Sequence, residues 1–292
     1  MGLNATPYLP YPDYQSTEYK KHWTGEYVSC KGPRDQTLDK SPEDLVHAWP
    51  QLPQNFPNIS VGSDLGIDLD SCFDRESRYT PYDSTAKNAP DWGSVRWGEL
   101  QNDCLSKNKE RYGEHQRKSM QLRPSRTMPK EDESTQHAES TNAAKPHHRT
   151  AILIRTWEGY VYTENDLQAI RSLVTETSLL SGGEYQVYLF VNVKQRDADI
   201  YDNEETYNSV LHAVVPEELR DISVLWTEKV CEEWYPKVGD WQVYWMQFMP
   251  LQWFSKTHPE FDYVWNWETD ARYTGNPYHF LEQVSFFAQK MP

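Results

Sequence analysis

Apolar residues follow a regular pattern only in the second half of the chain. Residues 151–157, 185–193 and 222–227 are almost continuous apolar runs, which predict strands buried on both faces of a sheet. A fourth run, YVWNWETD at 263–270, is rich in aromatic and β-branched residues and predicts another strand. The four predicted strands are spaced widely enough for a helix to lie between each pair.

Helical patterns fill these gaps. One helix is predicted to begin at Thr163 and to stop at Gly182, and a second occupies residues 204–214. The apolar segment 241–256 predicts a third helix, which Pro250 should kink or split. Strands that alternate with helices predict an α/β fold with a mostly parallel, doubly wound sheet, joined by right-handed crossovers.

The first half of the chain lacks this order. Residues 1–60 are rich in Pro and Tyr and predict an extended arm that packs on a neighbour through its aromatic residues. Residues 61–115 predict a small irregular segment on the core. Residues 116–149 contain no Phe, Trp or Tyr, and a segment with so little to bury predicts a disordered linker. The regular domain then covers residues 150–292.

Composition narrows the classes of partner. The net charge of −15 argues against a nucleic-acid backbone as partner, because such a partner requires a basic surface. The sequence contains no apolar run long enough to span a membrane, and its first residues do not resemble a signal peptide. The cysteines at 30, 72, 104 and 231 show no zinc-ligand spacing. They fit either a disulfide or a reduced intracellular set.

Candidate chemistry lies in the last predicted strand. Side chains alternate along a strand, so Trp265 and Trp267 should face the core while Asn266, Glu268 and Asp270 share the other face. Ligands of open α/β sheets bind beyond the carboxyl ends of the strands. A pair of carboxylates at that position suits a hard cation, Mg²⁺ or Mn²⁺, shared with the phosphates of a substrate. The alternative is a half-buried strand with a solvated acidic face.

Several long phrases carry a family resemblance. CFDRESRYTPYD, SGGEYQVYLFVNVK and FDYVWNWETDARYTG are similar to a fungal family of uncharacterised proteins, domain of unknown function 3405. Four predicted strands of a doubly wound sheet, with a Glu-x-Asp at the end of the fourth, also resemble the nucleotide-sugar-binding half of GT-A fold glycosyltransferases. In those enzymes a short acidic motif holds Mn²⁺ or Mg²⁺ on the diphosphate of the donor.

The resemblance implies roles for particular residues. Glu268 and Asp270 would be the metal ligands, with Glu268 alternatively contacting the ribose. Arg155, Thr156 and Arg272 would contact the nucleotide-sugar, together with both carboxylates. Two of these assignments have structural alternatives: Arg155 could instead form a salt bridge with a carboxylate at the sheet edge, and Arg272 could pair with Glu268 or Asp270. No catalytic base or acceptor follows from the sequence.

The end of the chain bears on the expected activity. A GT-A enzyme builds its acceptor site after the acidic motif, and this chain ends soon afterwards, at Pro292. The resemblance therefore implies a metal-dependent glycosyltransferase-like half-domain, truncated and inactive by itself. The alternatives are a non-catalytic binding protein on the same scaffold or another nucleotide-dependent transferase. The family would be expected in the Golgi or secretory pathway if an N-terminal anchor was lost.

Overall fold

A four-stranded sheet forms the centre of the molecule. The structure is a computed structural model and describes residues 4–50, 71–127 and 144–290. Two short strands pair antiparallel in the N-terminal region, and four longer strands form the main sheet: β1 Thr6–Pro7, β2 His47–Ala48, β3 Thr150–Trp157, β4 Tyr185–Asn192, β5 Ser223–Trp226 and β6 Tyr263–Glu268. The order in the main sheet is β5-β4-β3-β6, and all three pairs are parallel. The predicted α/β class and mostly parallel sheet are confirmed.

Helices connect and flank these strands. The α-helices comprise Thr17–His22, Arg75–Tyr79, Trp97–Lys107, Glu164–Leu173, Glu204–Val214, Glu228–Trp234, Phe248–Thr257 and Pro277–Ala288. Shorter 3₁₀ turns comprise Leu38–Lys40, Pro42–Asp44, Thr80–Tyr82, Trp92–Ser94, Lys109–Arg111, Glu114–Arg117 and Glu217–Ile222. A π-helical segment, Val174–Leu179, follows the helix after β3, and the chain then turns at Gly182 with a φ of 75°.

The prediction of a kinked helix at Pro250 is wrong. The helix begins only at Phe248, so Pro250 lies in its first turn. Backbone N–H groups in the first turn have no partner within the helix, and a proline there costs no hydrogen bond. The preceding residues form turns rather than helix, which places Tyr244 and Gln247 at the end of the sheet.

The sheet buries both faces, and strand alternation assigns each residue to one of them. Ile152 and Ile154 of β3 pack in the larger core, and the register places Trp265 and Trp267 of β6 beside them. Leu153 packs on the opposite face with residues of β4 and β5. Both tryptophans are only partly buried because β6 is an edge strand. Residues 266 and 268 therefore point to the second face, as predicted.

The N-terminal arm packs on its own chain. Tyr11 and Tyr27 donate hydrogen bonds to the backbone carbonyls of Glu176 and Leu180, at 2.8 and 3.1 Å. These carbonyls lie within and just after the π-helical segment. No further helical turn follows whose N–H groups could donate to them. A disulfide between Cys30 and Cys104 fixes the arm covalently to the helix Trp97–Lys107.

Both ends of the segment predicted as a linker are packed instead. Arg149 is buried, and its Nη1 donates to the carbonyl of Gln116 at 2.6 Å. The indole nitrogens of Trp234 and Trp253 donate to backbone carbonyls at residues 126 and 125. The side chains here are polar, but indole N–H groups from elsewhere in the fold bond to the backbone carbonyls of this segment. Amino-acid composition does not reveal such contacts. The predicted linker's middle, residues 128–143, lies outside the described residues, as do residues 51–70 of the predicted arm and irregular segment.

Candidate functional site

A cleft of about 490 Å³ lies at the carboxyl edge of the sheet. All four strands of the sheet contribute to it at or near their last residues. The cleft is lined by Arg155, Thr156, Trp157, Phe190, Asn192, Lys194, Trp226, Val243, Tyr244, Gln247, Glu268 and Asp270. Its volume lies within the range of small-molecule sites, and its position is the one at which open α/β sheets bind ligands.

Parallel pairing brings Arg155 and Glu268 together. The register of β3 and β6 sets these residues opposite each other, on the same face of the sheet. Arg155 Nη1 donates to Glu268 Oε1 at 2.7 Å and to Gln247 Oε1 at 3.1 Å. The Glu268 side chain is 48% exposed and that of Arg155 16%. The salt bridge considered as the alternative role for Arg155 is therefore present, and it is open to the cleft.

Asp270 lies two residues beyond β6 and lines the same cleft. It is exposed and forms no ion pair with any residue that the structure describes. The described part of the chain contains no group of three or more His, Cys, Asp or Glu residues that could hold a metal ion. The cleft thus offers two carboxylates at most, and a hard cation bound there would take its other ligands from phosphate or water.

Thr156 and Arg272 have other partners. Thr156 is buried, and its hydroxyl lies 3.1 Å from the hydroxyl of Tyr162. Arg272 donates to the carboxylate of Asp166, which completes the capping box of the helix Glu164–Leu173 with the N-cap residue Thr163, and Arg272 does not line the cleft. The expectation that Arg272 pairs with one of the two acidic residues is wrong. The turn after β6 carries its guanidinium toward that helix instead.

Sequence reasoning missed donors at the ends of β4 and β5. Asn192 is 8% exposed and Trp226 is 2% exposed. Neither Asn192 Nδ2 nor Trp226 Nε1 has a hydrogen-bond partner within the described ranges. A buried donor without an acceptor costs about 1–3 kcal/mol, and such groups in native proteins call for an explanation. The edge rule already used for β3 and β6 would have identified both positions.

Lys194 adds a second positive charge to the cleft. It follows β4 and is exposed, and its Nζ lies near Gly159 in the loop after β3, where a Cβ would meet it at 3.8 Å. The backbone N–H of Lys194 donates to Glu158 Oε2 at 2.8 Å, but Lys194 Nζ forms no ion pair with a carboxylate of the described residues. Two cations, two carboxylates and two unused donors therefore surround one space, an arrangement suited to an anionic, oxygen-rich ligand.

Comparison with known proteins identifies the family of this chain. The family model described as "Protein of unknown function (DUF3405)" matches residues 72–292, which include the whole sheet and every residue of the cleft. The chain belongs to this family. No curated protein and no solved structure matches the chain. Among the helices that the structure describes, none has the length and apolar character needed to cross a membrane.

Proposed function

We propose that this protein binds a nucleotide-sugar diphosphate together with Mg²⁺ or Mn²⁺, as a metal-dependent glycosyltransferase-like protein of GT-A arrangement. The observation that supports the proposal is the cleft itself. Its lining contains Glu268, Asp270, Arg155 and Lys194, beside donors that find no acceptor among the described residues. Carboxylates suit the cation, cations suit the phosphates, and unused N–H groups suit the oxygens of sugar or phosphate.

The charged residues of the cleft would have two different roles, according to the sign of their charge. Asp270 and Glu268 would hold the cation, and Arg155 and Lys194 would hold the diphosphate. When bound, the cation would neutralise charge on the diphosphate leaving group. The protein's part is to position the donor and to offer fixed dipoles where charge develops. Arg272, which pairs with Asp166, has no place in this arrangement.

A thermal-shift experiment tests the proposal. A ligand that binds only the folded state adds about 2.7 kcal/mol at a hundredfold excess over Kd. Mn²⁺ with uridine or guanosine diphosphate should therefore raise the melting temperature. Asp270→Asn should remove the shift, because it keeps the shape of the side chain but loses the charge that holds the cation.

Glu205→Gln is the matched control. It removes one carboxylate from the exposed surface of the helix Glu204–Val214, outside the cleft. It should leave the shift unchanged. A shift of equal size in Asp270→Asn and wild type, or no shift in wild type with either nucleotide, would contradict the proposal.

A non-catalytic binding protein on the same scaffold is the second candidate. One observation favours it: Glu268 is already paired with Arg155, so among the described residues that line the cleft Asp270 is the one carboxylate without an ion pair. The two candidates differ in turnover. Release of free sugar from a nucleotide-sugar in the presence of Mn²⁺, abolished by Asp270→Asn, identifies an enzyme, whereas ligand-induced stabilisation without sugar release identifies a binding protein.

A further inference from the structure

We propose that Arg155 is an exchangeable counter-ion of Glu268, so that cation and diphosphate bind interdependently. In the unliganded cleft Arg155 neutralises Glu268. When a diphosphate enters, Arg155 pairs with its phosphate oxygens and Glu268 is released to the cation. This inference rests on the proposed function and concerns the order and coupling of binding at the same site.

The geometry of the contact between Arg155 and Glu268 allows another partner to replace Glu268. Glu268 and Gln247 both accept from a single nitrogen of Arg155, Nη1. Within the described ranges both side-chain hydrogen bonds of Arg155 come from Nη1, and Nε and Nη2 donate none. A guanidinium forms its strongest pairs through two parallel N–H donors, and phosphate oxygens match that fork. A phosphate would therefore offer Arg155 a better partner than Glu268 does now.

A buried pair in the same protein shows the contrast. Arg171 donates to both carboxylate oxygens of Glu218, from Nε at 2.7 Å and from Nη2 at 2.8 Å. Those side chains are 2% and 6% exposed, whereas that of Glu268 is 48% exposed. Exposed ion pairs contribute only about 0–1 kcal/mol, so the exchange at Glu268 costs little. The Arg171–Glu218 pair is buried and bidentate, and its role is structural. The Arg155–Glu268 pair is neither buried nor bidentate.

Charge explains the coupling. A divalent cation that approaches Glu268 in the free protein meets the guanidinium already placed there, and the two positive charges repel each other. A diphosphate removes that obstacle and supplies oxygen ligands. By linkage, the cation must favour diphosphate binding by the same factor. Lys194 Nζ, which forms no ion pair among the described residues, offers a phosphate contact that leaves Glu268 unaffected.

The test measures Mn²⁺ affinity by titration calorimetry, with and without uridine diphosphate, in wild type and two variants. In wild type we expect the nucleotide to tighten Mn²⁺ binding by about tenfold or more, within the usual range of coupling between sites. Arg155→Gln should bind Mn²⁺ alone more tightly than wild type, and the effect of the nucleotide should shrink. Arg155→Lys keeps the positive charge and should keep weak binding of Mn²⁺ alone.

The possible failures are distinguishable. If wild type binds neither Mn²⁺ nor the nucleotide, the proposed function and the exchange are both overturned. If wild type binds both but Arg155→Gln weakens binding of Mn²⁺ alone, or keeps the full coupling, only the exchange is overturned. Melting curves of the unliganded variants show whether each variant is folded, and Arg155→Lys provides the second variant if the glutamine variant is not.

Discussion

Opening the Cys30–Cys104 disulfide should destabilise the protein mainly through its unfolded state. The bond joins residues separated by 74 positions, and both cysteines are fully buried. In the chain-entropy account, a cross-link that closes a loop of that length removes about 15 cal/mol/K from the unfolded chain. At 25 °C this corresponds to about 4 kcal/mol, a large part of the stability of an ordinary domain.

Urea denaturation measures this effect. The double variant Cys30→Ala, Cys104→Ala should lose about 4 kcal/mol of unfolding free energy. Its m-value should rise, because an unfolded chain without the cross-link exposes more surface. Reduction of wild type should produce the same two changes, and it should produce neither in the double variant.

Cys231→Ala is the matched control. Cys231 is also buried, but it is a free thiol in the helix Glu228–Trp234. This variant should respond to reductant as wild type does, whatever its own packing defect costs. A loss below about 1 kcal/mol in the double variant, with an unchanged m-value, would refute the chain-entropy reasoning.

Two further predictions concern the core. Burial, together with the nearby charges of Arg111 and His148, lowers the pKa of His147 from 6.5 to about 3. Below pH 6.5 the unfolded chain therefore takes up a proton that the folded protein does not. Stability should therefore fall by about 1.5 kcal/mol between pH 6.5 and pH 5 relative to His147→Phe, measured by urea denaturation at both values. A Cβ on Gly98 would lie 2.1 Å from the carbonyl oxygen of Asp221, so Gly98→Ala should lower the unfolding free energy by about 1–3 kcal/mol. An unchanged melting temperature would contradict that assignment.

The sheet was readable from the sequence because its strands are nearly continuous apolar runs. β4 is buried at every position, and the helix Glu204–Val214 has the predicted bounds. Glu268 and Arg155 lie on the same face of the sheet. This follows from side-chain alternation and parallel register alone, and these need no tertiary information beyond strand order.

Other features depend on contacts that no local pattern encodes. The partner of Arg272 is Asp166, which lies 106 residues away, and the pairing of Cys30 with Cys104 has a separation of 74. The kink predicted at Pro250 is absent because the effect of a proline depends on where the helix begins, and this helix begins at Phe248. The edge rule identifies the position of Asn192, but only its neighbours in the folded protein show that its Nδ2 donor is unused.

The arm has a consequence for synthesis on the ribosome. Tyr8, near its start, lies 2.9 Å through its hydroxyl from Nδ1 of His279, which is 271 positions later in the chain. At roughly 5–20 residues per second, about 15–50 seconds separate the emergence of the two residues. During that interval Tyr8 cannot make this contact, because the helix Pro277–Ala288 does not yet exist. The start of the arm thus completes its native contacts only after His279 has been synthesised, and chaperones have that long to bind it.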